Sequence, residues 1–138
     1  EQRGLKIVGM KMTQPKRDMA KEHYGEEIAK RHGVKVLESL ADYLSSSPII
    51  AMVIQGSNAI ATVRKIVGDT YPGEAAIGTI RGDFAHISKV RAKASPKATP
   101  NLIHASSNEE EAKKELALWF SINEIYDYKL SAEDYIVY

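Results

Sequence analysis

His104 closes a short apolar segment, Asn101-Leu102-Ile103-His104-Ala105, directly before an acidic helix start, Ser106-Ser107-Asn108-Glu109-Glu110-Glu111. The first turn of a helix presents free N–H groups and the positive end of the backbone dipole. A phosphoryl group on or near His104 would meet those donors. Glu115, on the helix that follows, could reach back and hold the ring. An imidazole nucleophile attacks through one nitrogen and needs the other fixed by a second group. On position alone, a hydrogen-bonded core histidine is the commoner occupant of such a place. Arg64 and Arg81 offer the planar fork that suits phosphate oxygens and the charge of phosphoryl transfer, although a lone arginine is more often a surface ion pair. Thr70 and Thr79 could give hydroxyls to phosphate or cap turns. No Walker A pattern exists, which excludes a P-loop in this chain. His23, His32 and His86 have no setting like that of His104 and read as surface or packing residues. No pair of them has the spacing of a zinc site.

These residues need a scaffold, and the sequence outlines one. Leu5 to Met12 reads as a strand. Thr13 and Pro15 suggest a helix start, with Met19, His23 and Tyr24 near one face of that helix. Gly25 and Gly33 bracket a charged stretch that reads as a short helix or loop. Val36, Leu37, Leu40 and Leu44 repeat with helical spacing until Ser45-Ser46-Ser47-Pro48 ends the run. Ile49 to Ile54 is an unbroken apolar stretch, a buried strand. Ser57 is placed to cap a helix carrying Ile60, Val63 and Val67, which Gly68 ends. Residues 68 to 84 form a glycine-rich polar loop, and long loops of this kind are commonly functional. Residues 85 to 100 are basic and hold no acidic group, which suits a solvated, flexible loop. Asn101 to Ala105 reads as a strand-like piece, and Ser107 with Glu110 fits a capping box for a helix striped with Ala112, Leu116, Trp119 and Phe120. The tail, 131 to 138, ends in Tyr135-Ile136-Val137-Tyr138 and should pack against a surface. Mixed strands and helices, with strands far apart in sequence, predict an α+β sandwich: helices over one face of a small, largely antiparallel sheet.

The 138 residues suit one domain, 1 to 138, without internal repeat or linker. Nineteen basic against eighteen acidic residues give a net charge of +1, which argues against a dedicated nucleic-acid or membrane-surface protein. The absence of cysteine excludes disulfides and thiolate metal sites. The longest apolar run, Pro48 to Ile54, is too short to span a bilayer. A cytoplasmic location fits this composition.

Taken together, several segments resemble the nucleoside diphosphate kinases, in particular archaeal members. They are Ser46-Ser47-Pro48-Ile49-Ile50-Ala51-Met52-Val53, Asn58-Ala59-Ile60 with Val63-Arg64, and Gly68-Asp69-Thr70. Gly78-Thr79-Ile80-Arg81-Gly82-Asp83-Phe84, Asn101-Leu102-Ile103-His104-Ala105-Ser106, and Glu115 with Trp119-Phe120 complete the set. The resemblance runs from Gly4 to the C-terminus. It implies a ferredoxin-like βαββαβ core and a ping-pong transfer from a nucleoside triphosphate to a nucleoside diphosphate through a phosphohistidine. By that resemblance His104 matches the phosphorylated histidine, Glu115 the carboxylate that orients it, Ser106 the serine beside it, and Tyr24 the tyrosine near it. Arg64, Thr70 and Arg81 match residues that grip the nucleotide phosphates, with Mg2+ bridging those phosphates and no metal ligand from the chain. Asn101 matches the asparagine on the sugar. A homohexamer or tetramer is implied.

The sequence departs from the family pattern in five places. The opening strand and helix, whose Lys-Pro-Asp-Gly motif supplies a phosphate-contacting lysine, are absent from the sequence, which suggests that residues precede Glu1. Val36 takes the position of an aromatic base-stacking residue. Pro100 precedes Asn101 where arginine is common, and Ile77 stands where proline is usual. Residues 85 to 100 form an insertion. Two alternatives follow: a catalytically inactive nucleotide-binding module using the same cleft, and weak nucleic-acid binding through Lys89, Arg91, Lys93 and Lys97. Nucleic acid is possible there but not expected, because no aromatic residue in that stretch could stack on bases.

Overall fold

A computed structural model describes residues 1–95 and 101–130. Two antiparallel strands, β1 (Lys6–Thr13) and β2 (Ile49–Gln55), form the sheet among these residues. Met10 pairs with Met52 and Met12 with Ile50, and the register slips between Ile7 and Gly9. Met10, Met12, Ile50 and Met52 are all exposed. Lys11 packs instead towards the C-terminal part, with Nζ 2.7 Å from Glu124 and 4.8 Å from the Phe120 ring centre. The Tyr126 backbone N–H donates to Val8 O at 2.7 Å, so the chain after the last helix lies along β1.

Helix α1 (Arg17–His32) and helix α2 (Val34–Leu44) form a hairpin between the strands. Ala20 and Ala41 are fully buried, as small residues are where helices approach closely. Arg17 ties the two together by ion pairs to Asp42 and Glu38, and Lys21 adds a contact to Glu38 at 2.8 Å. The stretch after Gly25 is helical, so the short helix or loop expected there is the second half of α1. Gly25 carries the break, with φ of +69° inside the helix, a conformation that side chains rarely adopt. The helix starts at Arg17 after an extended Lys16, just beyond Pro15.

Helix α3 (Ala59–Val67) follows β2. Its N-cap is Asn58 in the left-handed region, not Ser57, and no side chain caps it. Gly68 ends α3 as expected, at φ +91°. The glycine-rich segment that follows is more ordered than a loop: a 3-10 turn (Pro72–Glu74) leads to the short helix α4 (Ile80–Phe84). Thr79 caps α4, its hydroxyl accepting from the Gly82 N–H. A side chain at Gly68 would lie 2.5 Å from that same hydroxyl, so glycine is required there. Part of the basic insertion is also helical, as α5 (Lys89–Ala94) capped by Ser88. The Gly73 N–H donates to Ile87 O at 3.0 Å and Lys89 Nζ lies 5.7 Å from the Tyr71 ring centre, which docks the insertion on the 3-10 turn.

Helix α6 (Glu109–Trp119) is the last α-helix among the described residues. Its cap is Asn108, whose Oδ1 accepts from the Glu111 N–H at 2.9 Å, while Glu111 reaches back to the Ser107 N–H at 2.8 Å. The expected pair of Ser107 and Glu110 is therefore displaced by one residue. The strand expected at 101–105 does not form. The carbonyls of Asn101, Ile103 and Ala105 accept from the side chains of Tyr43, Arg81 and Arg64, so they are not free to pair with a strand. Lys97, Pro100 and the tail 131–138 lie outside the described residues. No helix among the described residues is long and apolar enough to cross a membrane.

Candidate active site

The segment 101–108 runs between α5 and α6, and it brings His104 against α6 and α1. His104 Nε2 lies 2.9 Å from Glu115 Oε1. The other carboxylate oxygen, Oε2, accepts a short hydrogen bond from Ser106 Oγ. Glu115 thus spends one oxygen on each partner. The His104 side chain is 48% exposed while that of Glu115 is 14% exposed, so solvent reaches the ring but little of its anchor. Burial pushes the Glu115 carboxyl up, but hydrogen bonds from His104 and Ser106 outweigh it and hold the group below its usual value. It is therefore an anion at neutral pH. A neutral imidazole has one N–H and one lone pair. With Nε2–H donated to Glu115, the lone pair is on Nδ1.

His23 stands beside this pair. Its ring meets His104 edge to face, with centroids 4.7 Å apart, and it touches Tyr24 and Trp119 in the same manner at 4.9 and 5.6 Å. Trp119 Nε1–H donates to His23 Nδ1 at 3.1 Å. Burial lowers the His23 pKa to about 4, so the ring is neutral. Burial raises the Tyr24 hydroxyl to about 12, with Tyr43 and Glu115 adding to it, so Tyr24 stays protonated.

The arginines lie on the other side of the 101–108 segment. Arg81 is buried and donates through Nη1 to Gly68 O at 3.2 Å and Asp69 O at 3.1 Å, and through Nη2 to Ile103 O at 2.7 Å. Burial, and then the nearby charge of Arg64, lower its pKa. Arg64 is exposed and reaches Ala105 O at 3.4 Å. Asn101 donates through Nδ2 to Thr70 O at 2.9 Å, and its own carbonyl accepts from Tyr43 Oη at 3.1 Å. Arg81 Nε and Asn101 Oδ1 are buried without a hydrogen-bond partner among the described residues.

One segment therefore links Glu115, Arg64, Arg81 and Thr70. His104, Ser106 and Glu115 form one knot with Tyr24 next to it, and Arg64, Arg81, Asn101 and Thr70 form another through backbone carbonyls. Val36 stands half-buried in the first turn of α2, with no polar group to join either. The Thr70 side chain is exposed. Sequence reasoning missed His23, Trp119 and Tyr43 as parts of the site. His23 and Trp119 lie 96 positions apart, and each reads as part of an ordinary buried helix face. The adjacency of His23 to Tyr24 was the only local signal.

Comparison with known proteins gives a consistent picture. The family model "Nucleoside diphosphate kinase" matches residues 1–125. A nucleoside diphosphate kinase of Archaeoglobus fulgidus is 43% identical over 136 residues, covering 99% of this chain and 81% of that protein. One from Staphylococcus epidermidis is 41% identical, covering 99% and 82%. Among solved structures, a transition-state mimic of the Borrelia burgdorferi nucleoside-diphosphate kinase with bound vanadate and ADP superposes with a TM-score of 0.88 at 41% identity, covering 94% of this chain and 78% of that one. A halophilic nucleoside diphosphate kinase from Halobacterium salinarum in complex with CDP gives 0.79 at 32% identity, covering 99% and 82%.

Proposed function

The chain belongs to the nucleoside diphosphate kinase family, and on that premise we propose that it passes the γ-phosphate of a nucleoside triphosphate to a nucleoside diphosphate through a phosphohistidine at His104. The observation that carries this reading is the bond from His104 Nε2 to a half-buried, ionised Glu115. It fixes the ring and leaves the Nδ1 lone pair to attack. In the first half-reaction Nδ1 bonds to the γ-phosphorus as the bond to the bridging oxygen breaks. The diphosphate leaves with that electron pair. The ring becomes cationic, and Glu115 offsets the charge. In the second half-reaction a terminal oxygen of the incoming diphosphate attacks the phosphorus, and the N–P electrons return to Nδ1. Ser106 holds the second oxygen of Glu115 and so fixes the carboxylate plane. Arg64 and Arg81 supply positive charge, and phosphoryl transfer draws mostly on positioning and charge.

The ferredoxin-like fold of the solved relatives extends to this chain, and it is a phosphotransferase. Among the described residues no cluster of carboxylates offers magnesium a cage of oxygens. Among the described residues the one close group of three or more histidine and carboxylate side chains is His23, His104 and Glu115, and two imidazoles do not suit a hard, oxygen-seeking ion. By the family resemblance the ion would be bound mainly through the nucleotide phosphates, and no residue is assigned to hold it. A cytoplasmic homohexamer or tetramer completes the reading. The exposed apolar residues Met10, Met12, Ile50, Met52, Ile77 and Phe84 support association, since such surface is seldom left bare.

Intact mass spectrometry under non-acidic conditions tests the central step. Incubation with ATP and magnesium should add one phosphoryl group to the protein and none to His104→Ala. Transfer should fall on the order of 10⁴-fold or more in that variant, as when a nucleophile is deleted. Full transfer by His104→Ala would overturn the proposal.

A further inference from the structure

His23 is a buried imidazole packed on the nucleophile, and nothing in the transfer chemistry above uses it. Its side chain is only 6% exposed. Trp119 donates to its Nδ1 at 3.1 Å. An indole nitrogen can only donate, so Nδ1 must carry the lone pair, and the neutral ring holds its hydrogen on Nε2. The same Nδ1 lies 3.8 Å from Glu115 Oε1, the oxygen that anchors His104 at 2.9 Å. Two imidazoles therefore stand beside one carboxylate oxygen. A protonated His23 would point an N–H at that oxygen and compete with His104 for it. It would also set a positive charge against the His104 ring just as phosphorylation makes that ring cationic.

We propose that Trp119 and His23 are a positioning pair: the indole N–H occupies His23 Nδ1, keeps His23 an uncharged wall beside His104, and so reserves Glu115 for the nucleophile. This deepens the phosphohistidine reading and rests on it. Burial works in the same direction, and the neighbouring His104 adds to it. The other charged groups facing His23 come from α6: Glu115 and Glu111 favour its protonation, and Lys114 opposes it. On its own helix the adjoining Tyr24 ring stays neutral. Glu115 is thus the group that would pull a proton onto His23, and the Trp119 N–H is seated on the nitrogen where that proton would go.

The test combines imidazole nitrogen NMR of the whole protein with pH profiles of transfer from ATP. In the unaltered protein His23 should hold the Nε2–H tautomer and remain neutral at pH 5.5. In Trp119→Phe its protonation should move up by about one pH unit, the worth of one hydrogen bond to the neutral form. That shift predicts an additional loss of kcat of about twofold at pH 5 relative to pH 7.5, compared with the unaltered protein. Adding His23→Phe to Trp119→Phe should remove the extra acid loss while any uniform loss from altered packing remains. An Nδ1–H tautomer in the unaltered protein would overturn the proposal, and so would a Trp119→Phe variant that loses the same factor at every pH. If Trp119→Phe does not fold, the tautomer in the unaltered protein decides. Failure to form any phosphoenzyme would instead overturn the His104 reading, whichever tautomer His23 shows, so the two failures are distinct.

Discussion

Around His104 the polar groups bond to other side chains, whereas around Arg81 they bond to the backbone. Glu115 joins His104 and Ser106, and Trp119 closes His23, so this half is a knot of side chains drawn from α1, α6 and the segment between α5 and α6. In the other half, Arg81 holds the carbonyls of Gly68, Asp69 and Ile103, and Asn101 holds that of Thr70. That half also keeps two buried polar atoms without partners among the described residues, Arg81 Nε and Asn101 Oδ1. A buried donor or acceptor left unpaired costs about 1–3 kcal/mol. The His104 half thus satisfies its side chains from one another, while the arginine half leaves two buried polar atoms unpaired among the described residues. The transfer proposed above, which needs an aimed nucleophile and a grip on variable nucleotides, would be served by this division.

The comparison predicts different kinetic signatures for the two halves. Glu115→Gln should give the largest effect. The amide can still accept from His104, but it no longer offsets the charge that grows on the ring during attack. We expect kcat to fall about 10³-fold with KM little changed, in line with other catalytic imidazoles that lose their carboxylate. Steady-state kinetics with ATP and a nucleoside diphosphate would check it. A large rise in KM at unchanged kcat would mean that Glu115 belongs to nucleotide binding, and the division would fail.

Arg81→Lys should have a smaller but mixed effect. A lysine keeps the charge but has no planar fork, so it cannot reach three carbonyls at once. Transfer efficiency, kcat/KM, should fall about ten- to a hundredfold. Stability should fall by about 1–3 kcal/mol as carbonyls lose their donors. Denaturant unfolding beside kinetics would separate the two. A variant with full stability and lost activity would show that Arg81 does not scaffold its half.

The same division explains what the sequence could reveal. His104 and Glu115 are eleven residues apart and flank one helix start, so local reasoning could join them. The family resemblance added Ser106. The strand read at Asn101 to Ala105 failed because its carbonyls serve donors 22 to 58 residues away, Arg81 and Tyr43 among them, and such acceptors leave no mark on an apolar pattern. His23 escaped for the mirror reason: its partner Trp119 lies on another helix, and both look like packing. The kink at Gly25 was legible only as a break, because a glycine marks where a helix can bend without saying that helix resumes. Contacts within one turn or one loop can be read from order along the chain, and contacts made by folding a helix hairpin onto a distant segment cannot.

Tyr43 gives the finest test of the boundary between the halves. It sits at the end of α2 and its hydroxyl is the link from the helix hairpin to Asn101. The bond goes to the Asn101 carbonyl, so its loss should loosen the position of the side chain that bonds Thr70 O without touching His104. Tyr43→Phe keeps the ring and removes that one bond, worth about 1 kcal/mol, which corresponds to a factor of about five. We expect the KM for the nucleotide to rise by that factor with kcat unchanged, measured beside the unaltered protein. If kcat falls instead, the pull on residue 101 reaches His104 three residues on, and the two halves move as one unit. If neither changes, Asn101 is held by Thr70 alone and the hairpin exerts no hold on the grip.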